Sequence, residues 1–158
     1  MTDAEKLQWL FDREQIRETV YRYPVSVDRR DWKLFRSIFT DEIEILLSTA
    51  ARADRPHQIV NADGFTRATS KIMTSSFQIT QHFLSDYQIE VSGNDSICFC
   101  YVQARHLPPK DKPEQQIWDI GGYYNFHLER TNDDWKIRKY TAIITWETNR
   151  PYDLTIDL

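Results

Sequence analysis

Two side chains in this sequence stand out as candidates for proton transfer: Asp28 and His82. An imidazole changes charge near neutral pH. A carboxylate beside it fixes its tautomer and raises its basicity, which makes a general base. His82 lies in Thr80-Gln81-His82-Phe83-Leu84, and its apolar flanks predict a ring that is partly buried. A lone buried histidine is more often a hydrogen-bonded core residue than a catalyst, so the partner matters. Asp28 is the natural candidate. In the stretch from Ile16 to Phe39, the residues Ile16, Val20, Tyr23 and Val27 recur with the spacing of one buried helical face. Asp28 falls beside Tyr21 at the edge of that face. Pro24 removes the backbone bond to Val20 and predicts a kink just before the acid. A carboxylate so placed can point into a cavity. The alternative is that it caps the next helix or pairs with Arg29 or Arg30 in solvent. Spacing along the chain leaves the pairing of Asp28 with His82 open.

Other chemistries find no support. G-x-S-x-G, P-loop and G-x-G-x-x-G motifs are all missing, and four glycines leave little capacity for phosphate-cradling loops. His57, His82, His106 and His127 are scattered away from the cysteines, without zinc spacing, so neither metal nor cofactor is expected. Cys98 and Cys100 sit two apart on one strand, too close along it to bridge comfortably, and predict reduced, buried thiols in a cytoplasmic protein. A net charge of −4 without a basic block argues against nucleic acid. No apolar run approaches the ~20 residues of a membrane span, and the charged N-terminus has no signal-peptide core. The expected partner is a small molecule. Aromatic residues at 13% suit a chain that lines a pocket as well as filling a core.

The elements follow from the pattern. A chain of 158 residues suits one domain over residues 1–158. Residues 4–28 read as helix. Asp31 can cap a second helix, Trp32 to Phe39, with Trp32, Phe35, Ile38 and Phe39 inward. Ile43 to Leu47 reads as strand, Ser48 to Pro56 as loop and Gln58 to Val60 as a short strand. Asn61 can cap a helix over residues 62–75, with Phe65, Ile72 and Met73 inward. From Phe77 onward strands dominate: Gln78 to Leu84, Tyr87 to Val91, a turn at Ser92-Gly93-Asn94-Asp95, Ile97 to Leu107, Gln116 to Arg130 and Trp135 to Trp146. Pro108, Pro109 and Pro113 mark an exposed loop, and Thr131 to Asp134 a turn. Gly121-Gly122 predicts a bulge or sharp bend. The acidic tail over residues 147–158 is expected to cross the domain or a partner. Helices first and long antiparallel strands last give an α+β class, with a pocket between the layers. On the strand 97–107, Cys98, Cys100, Val102, Ala104 and His106 share one small-residue face, which makes room for either a ligand or a packed helix.

Asp28-Arg29-Arg30-Asp31-Trp32, Thr80-Gln81-His82-Phe83, Ala104-Arg105-His106 and Trp135-Lys136-Ile137 resemble, in kind and order, scytalone dehydratase and the wider SnoaL-like branch of the nuclear transport factor 2 superfamily. The resemblance spans roughly residues 7–146. It implies a cone-shaped α+β barrel, a curved sheet and N-terminal helices around one pocket. It also implies Asp28 as the acid that orients the catalytic His82, and His106 as a second pocket histidine. The sequence departs from that pattern where Val27 and, at about the corresponding place, Leu47 stand for pocket tyrosines, and near Gly122 and Tyr124 for a serine and an asparagine. The Tyr23-to-Asp28 spacing resembles bile-acid dehydratases. Arg138 matches a pocket position of hexachlorocyclohexane dehydrochlorinase. The resemblance therefore implies a cofactor-independent lyase or isomerase for a small hydrophobic ring, polyketide- or steroid-like substrate. Tyr23, His106 or Tyr124 would polarise a carbonyl or leaving group, and Arg138 would bind substrate.

The rival is a non-catalytic ligand-binding or assembly domain of the same fold, including a role like that of a ring-hydroxylating dioxygenase small subunit. On the strand 117–130, Ile117, Tyr123 and His127 oppose Trp118, Tyr124, Phe126 and Leu128. Large rings on both faces predict a homodimer or higher oligomer built through the sheet.

Overall fold

Ile16, Val20, Tyr23 and Val27 are among the residues that the first helix, α1 (Asp3–Arg29), buries. The computed structural model describes residues 1–50, 53–132, 134–151 and 154. Helix α1 opens with a capping box: the Thr2 hydroxyl accepts from the Glu5 backbone N–H, and the Glu5 carboxylate accepts from the Thr2 N–H. It continues through Pro24 to Arg29 and ends where Arg30 turns left-handed at φ 58°. Asp31 then caps α2 (Trp32–Ser37) by accepting from Leu34 N–H at 2.9 Å. Asn61 caps α3 (Ala62–Ser76) by accepting from Asp63 and Gly64. Both caps stand where a short polar side chain precedes an apolar run.

The six strands are β1 (Phe39–Thr49), β2 (Gln58–Asn61), β3 (Ile79–Ser92), β4 (Asp95–Leu107), β5 (Trp118–Thr131) and β6 (Asp134–Thr148). They form one curved, open sheet in the order β2-β1-β6-β5-β4-β3. All neighbours run antiparallel except β1 and β6, which run parallel, with Ile45 opposite Tyr140 and Leu47 opposite Ala142. The helices cover one face. Between the layers lies an aromatic core of Tyr23, Phe35, Phe39, Phe65, Phe126 and Tyr140.

Several boundaries differ from expectation for local reasons. Helix α2 stops at Ser37 and Phe39 starts β1, although Phe35, Ile38 and Phe39 are all buried. Trp32, Ile72 and Met73 are only half-buried. Strand β1 runs on to Thr49, into the expected loop, of which Ala51 and Arg52 lie outside the described residues. The two segments expected around Leu84 and Tyr87 are one strand, β3, with a pairing shift between Ser85 and Gln88 and Asp86 at φ 55°. The Ser92–Asp95 turn is present, with Gly93 at φ 62°. Gly121-Gly122 marks an irregularity, as expected: the register against β6 shifts between them. A Cβ on Gly121 would meet the Trp146 ring at 2.1 Å, and one on Gly122 the Ile143 carbonyl oxygen at 2.0 Å. Of the small face on β4, Cys98, Cys100 and Val102 belong to the main core, and burial pushes the Cys98 thiol up to about 12. In the tail, Pro151 is buried and Leu154 packs against the smaller cluster of Phe77, Ala104, Trp118 and Ile120. The rest of the tail beyond Pro151, and Asp133 of the expected Thr131–Asp134 turn, lie outside the described residues.

Candidate active site

Where α1 ends, its last turn faces the start of β3. Asp28 Oδ1 lies 2.7 Å from His82 Nδ1, and Asp28 Oδ2 accepts from the His82 backbone N–H at 2.9 Å. Thr80, two residues before His82 and on the same strand face, donates its hydroxyl to Asp28 Oδ1 at 2.9 Å. A carboxylate can only accept when ionised, so the proton of the neutral ring sits on Nδ1 and the lone pair on Nε2. The solvent readings of Asp28, as a cap or as an exposed arginine partner, do not hold.

Arg30 supports this arrangement. Its left-handed backbone turns the side chain back under the helix end. There it donates to Thr80 Oγ1 at 2.8 Å and to the carbonyl oxygens of Val27 and Met73 at 2.6 and 3.0 Å. Burial pulls the guanidinium below its usual range, and the negative charge of Asp28 pulls it back up. One cation thus ties together α1, α3 and β3.

His82 stands on the wall of a cavity of about 600 Å³ between the helices and the sheet. Its buried end is formed by Tyr23, Tyr124 and Tyr140. Tyr140 donates its hydroxyl to that of Tyr23 at 2.9 Å, and the Tyr124 ring meets Tyr23 edge-on at 5.6 Å. Burial is the main cause that pushes Tyr23 up to about 12, and it raises Tyr124 and Tyr140 well above the phenol range. The three are therefore neutral hydrogen-bond donors. Val27 and Leu47, where the family resemblance places tyrosines, are on the same wall.

His106 also lines the cavity, 5.3 Å from His82 between ring centroids and nearly perpendicular to it. Phe77 and Trp118 pack on its ring at 4.8 and 4.5 Å. Its Nδ1 lies 3.2 Å from the Trp118 carbonyl oxygen, which can only accept, so this nitrogen carries the proton. Burial, followed by the neighbouring His82, pushes His106 down to about 3. The expected role therefore changes. A neutral His106 whose one N–H is already used offers Nε2 as an acceptor and has no proton to polarise a carbonyl.

Arg138 is not in the cavity. It is half-exposed and pairs with Asp95 at 3.3 Å. The cause is a bulge: His127 pairs with Lys139 and Leu128 with Ile137, so Arg138 is the extra residue on β6. Without that bulge, Arg138 would share the inward face with Tyr140 and Ala142. The same bulge brings Tyr140 inward, a pocket residue that a regular alternation does not reveal. Thr80 carried a readable signal, since it shares its strand face with His82. Arg55, Glu147 and Arg150, the exposed or half-exposed residues of the lining, and the buried Trp118 carried none. No group of three or more histidine, cysteine, aspartate or glutamate side chains lies together to hold a metal among the described residues.

This architecture recurs in solved structures. The Kfla4162 protein of Kribbella flavida superposes with a TM-score of 0.79 at 22% identity, covering 93% of this chain and 96% of that one. A hexachlorocyclohexane dehydrochlorinase, LinA-type3 of Novosphingobium barchaimii, superposes with a TM-score of 0.76 at 17% identity, covering 97% and 99%. A scytalone dehydratase candidate of Novosphingobium aromaticivorans gives 0.75 at 20% identity, covering 90% and 89%. In sequence, the chain is 24% identical over 143 residues to the terrestric acid biosynthesis cluster protein E of Penicillium crustosum, covering 87% of this chain and 85% of that protein. The family model of the SnoaL-like domain matches residues 8–141, a span that includes most of α1, the Asp28–His82 pair and most of the sheet, and the chain therefore belongs to the SnoaL-like family.

Proposed function

We propose that this protein is a cofactor-independent lyase or isomerase that acts on a small, largely hydrophobic ring substrate, with His82 as base and Asp28 as its orienter. The observation that carries the reading is the 2.7 Å contact between Asp28 and His82 on the wall of a 600 Å³ cavity. His82 Nε2 takes the proton from the carbon next to a substrate carbonyl. The electrons of the broken C–H bond move toward the carbonyl oxygen, where the neutral tyrosine hydroxyls, Tyr23 and Tyr124, donate. Asp28 stabilises the imidazolium that forms. In an elimination, the C–C double bond forms as the C–O bond breaks, and the His82 proton leaves with the hydroxyl as water. In an isomerisation, the proton returns at another carbon. His106 accepts from a substrate hydroxyl and helps to orient it. Similar proteins named for a dehydrochlorination and a dehydration support an elimination.

The test is replacement of His82 by Gln, which keeps a polar side chain of similar size. Candidate ring compounds bearing carbonyl and hydroxyl groups are screened by thermal shift and followed by mass spectrometry or deuterium exchange next to the carbonyl. Turnover is expected to fall by about 10²–10⁴-fold while binding survives. Binding without turnover or exchange in the wild type, or a His82→Gln enzyme as fast as wild type, would favour the ligand-binding or assembly reading.

The proposal includes a homodimer or higher oligomer. The sheet face away from the helices exposes the rings of Phe83, Tyr101 and Trp146 by 56%, 53% and 48%, and a monomer rarely exposes a broad apolar patch. Light scattering at micromolar concentration is expected to give a multiple of the chain mass; a monomeric mass refutes it.

A further inference from the structure

The tyrosine end of the cavity is uncharged, but its open end is not. Arg55, Glu147 and Arg150 line that end, two cations against one anion. Glu147 is already engaged: its Oε2 accepts from Trp118 Nε1 at 3.0 Å and pairs with Arg150 at 3.4 Å, while the Arg150 guanidinium lies over the Trp118 ring at 5.8 Å. Arg55 has no carboxylate partner among the described residues. The Asp28 charge does not balance it, because Asp28 is bound to His82 and Thr80 beside the Arg30 guanidinium. Among the described residues, one positive charge at the mouth is therefore left for a ligand.

We infer that the substrate is an acidic ring compound: a monoanionic oxygen acid, such as a carboxylate or acidic enol, sits at the Arg55 end while the ring and its carbonyl reach the tyrosines. This rests on the reading of the cavity as a substrate site. It gives the mouth a specific task. A guanidinium binds an oxyanion through charge-assisted hydrogen bonds, often two at once. A ring anchored at its acidic end then presents its far end to His82 in one orientation, which is how remote binding positions a reacting carbon.

Two compounds of nearly equal shape test this: 2-naphthoate, which is charged, and 2-naphthamide, which is not. Each is titrated calorimetrically at low ionic strength against wild type, Arg55→Gln, Glu147→Gln and His82→Gln. Wild type is expected to bind the naphthoate about fivefold more tightly, a modest preference because Arg55 is exposed. Arg55→Gln brings the ratio to about one without weakening the naphthamide, and salt narrows the wild-type ratio. Glu147→Gln widens the ratio by freeing Arg150. Equal binding of the two by wild type overturns the inference. An unchanged ratio in Arg55→Gln, an unchanged or narrower one in Glu147→Gln, or no binding of either compound at millimolar concentration does so too. The readout is binding alone, so it separates from the catalytic proposal. A charge preference that persists in an active His82→Gln enzyme would remove the dyad mechanism and leave the acidic ligand. A catalytic dyad without charge preference would do the reverse.

Discussion

Helix α1 carries two well-buried or half-buried carboxylates, one near each end, and they are used differently. Asp12 faces the β5 end: Arg130 donates to both its oxygens at 2.8 and 2.7 Å, and Gln8 donates at 3.0 Å. Arg130 also stacks over the buried Trp135 ring at 4.5 Å. Asp28 faces β3 and is equally saturated, but its partner is an imidazole with a second nitrogen on a cavity wall. A guanidinium does not give up its proton in a protein, so the Asp12 pair can only hold two elements together. An imidazole can, so the Asp28 pair can exchange a proton with whatever occupies the cavity. The number of hydrogen bonds does not distinguish the two carboxylates. The titrating partner and the open side do.

The strongest way to break this contrast is to neutralise each acid in turn. Asp28→Asn should lower turnover by about 10²–10⁴-fold, because the amide still accepts hydrogen bonds but does not stabilise an imidazolium. Adding His82→Gln should make little further difference, since the two act as a unit. Kinetics of single and double variants with any substrate found by the screen read this directly, and multiplicative losses would argue against a dyad. Asp12→Asn should leave kcat and KM nearly unchanged and cost stability by about 2–3 kcal/mol. The cost falls below that of breaking a fully buried pair because Arg130 is partly exposed. Urea denaturation measures it.

The two ends of α1 should also respond to acid over different ranges. The Arg130 hydrogen bonds hold Asp12 below its ordinary 3.8, so its stabilisation is present above that value and is lost as pH falls through the carboxylate range. His106, beside the Asp28 pair, is pushed from 6.5 down to about 3. The unfolded chain therefore takes up a proton at His106 before the folded one does. Stability falls as pH drops from about 6.5 toward 3, by about 1.4 kcal/mol per unit within that window. His106→Gln should flatten the upper part of this acid limb and Asp12→Asn the lower part. Denaturation midpoints across pH 3–7 test both, and a limb unaltered by either substitution would contradict the assignments. The smallest effect is expected at Tyr140→Phe, which removes the hydroxyl donated to Tyr23. A loss of about 1 kcal/mol in stability, with kcat lower by about fivefold if Tyr23 donates to the reacting carbonyl, follows from one lost hydrogen bond.

Much of the frame was legible along the chain because its signals are local. The spacing of Ile16, Val20, Tyr23 and Val27, the caps at Asp31 and Asn61, and the Gly93 turn depend on neighbours a few residues away, and each appears in the structure. Asp28 and His82 also stand out along the chain, since a carboxylate at the rim of an apolar face and a histidine between apolar residues are both local anomalies. Their union depended on contacts across 54 positions of sequence, at the end of α1 and the start of β3. Tertiary structure alone decided the rest. The bulge at Arg138 turned that arginine out and Tyr140 in. The Trp118 carbonyl and the packing of Phe77 made His106 a neutral acceptor. The parallel pairing of β1 with β6 set Ile45 and Leu47 beside Tyr140 and Ala142. A strand's two-residue period is a local property, but where a bulge resets it, and which charge a buried ring can keep, are set by what the rest of the fold packs against it.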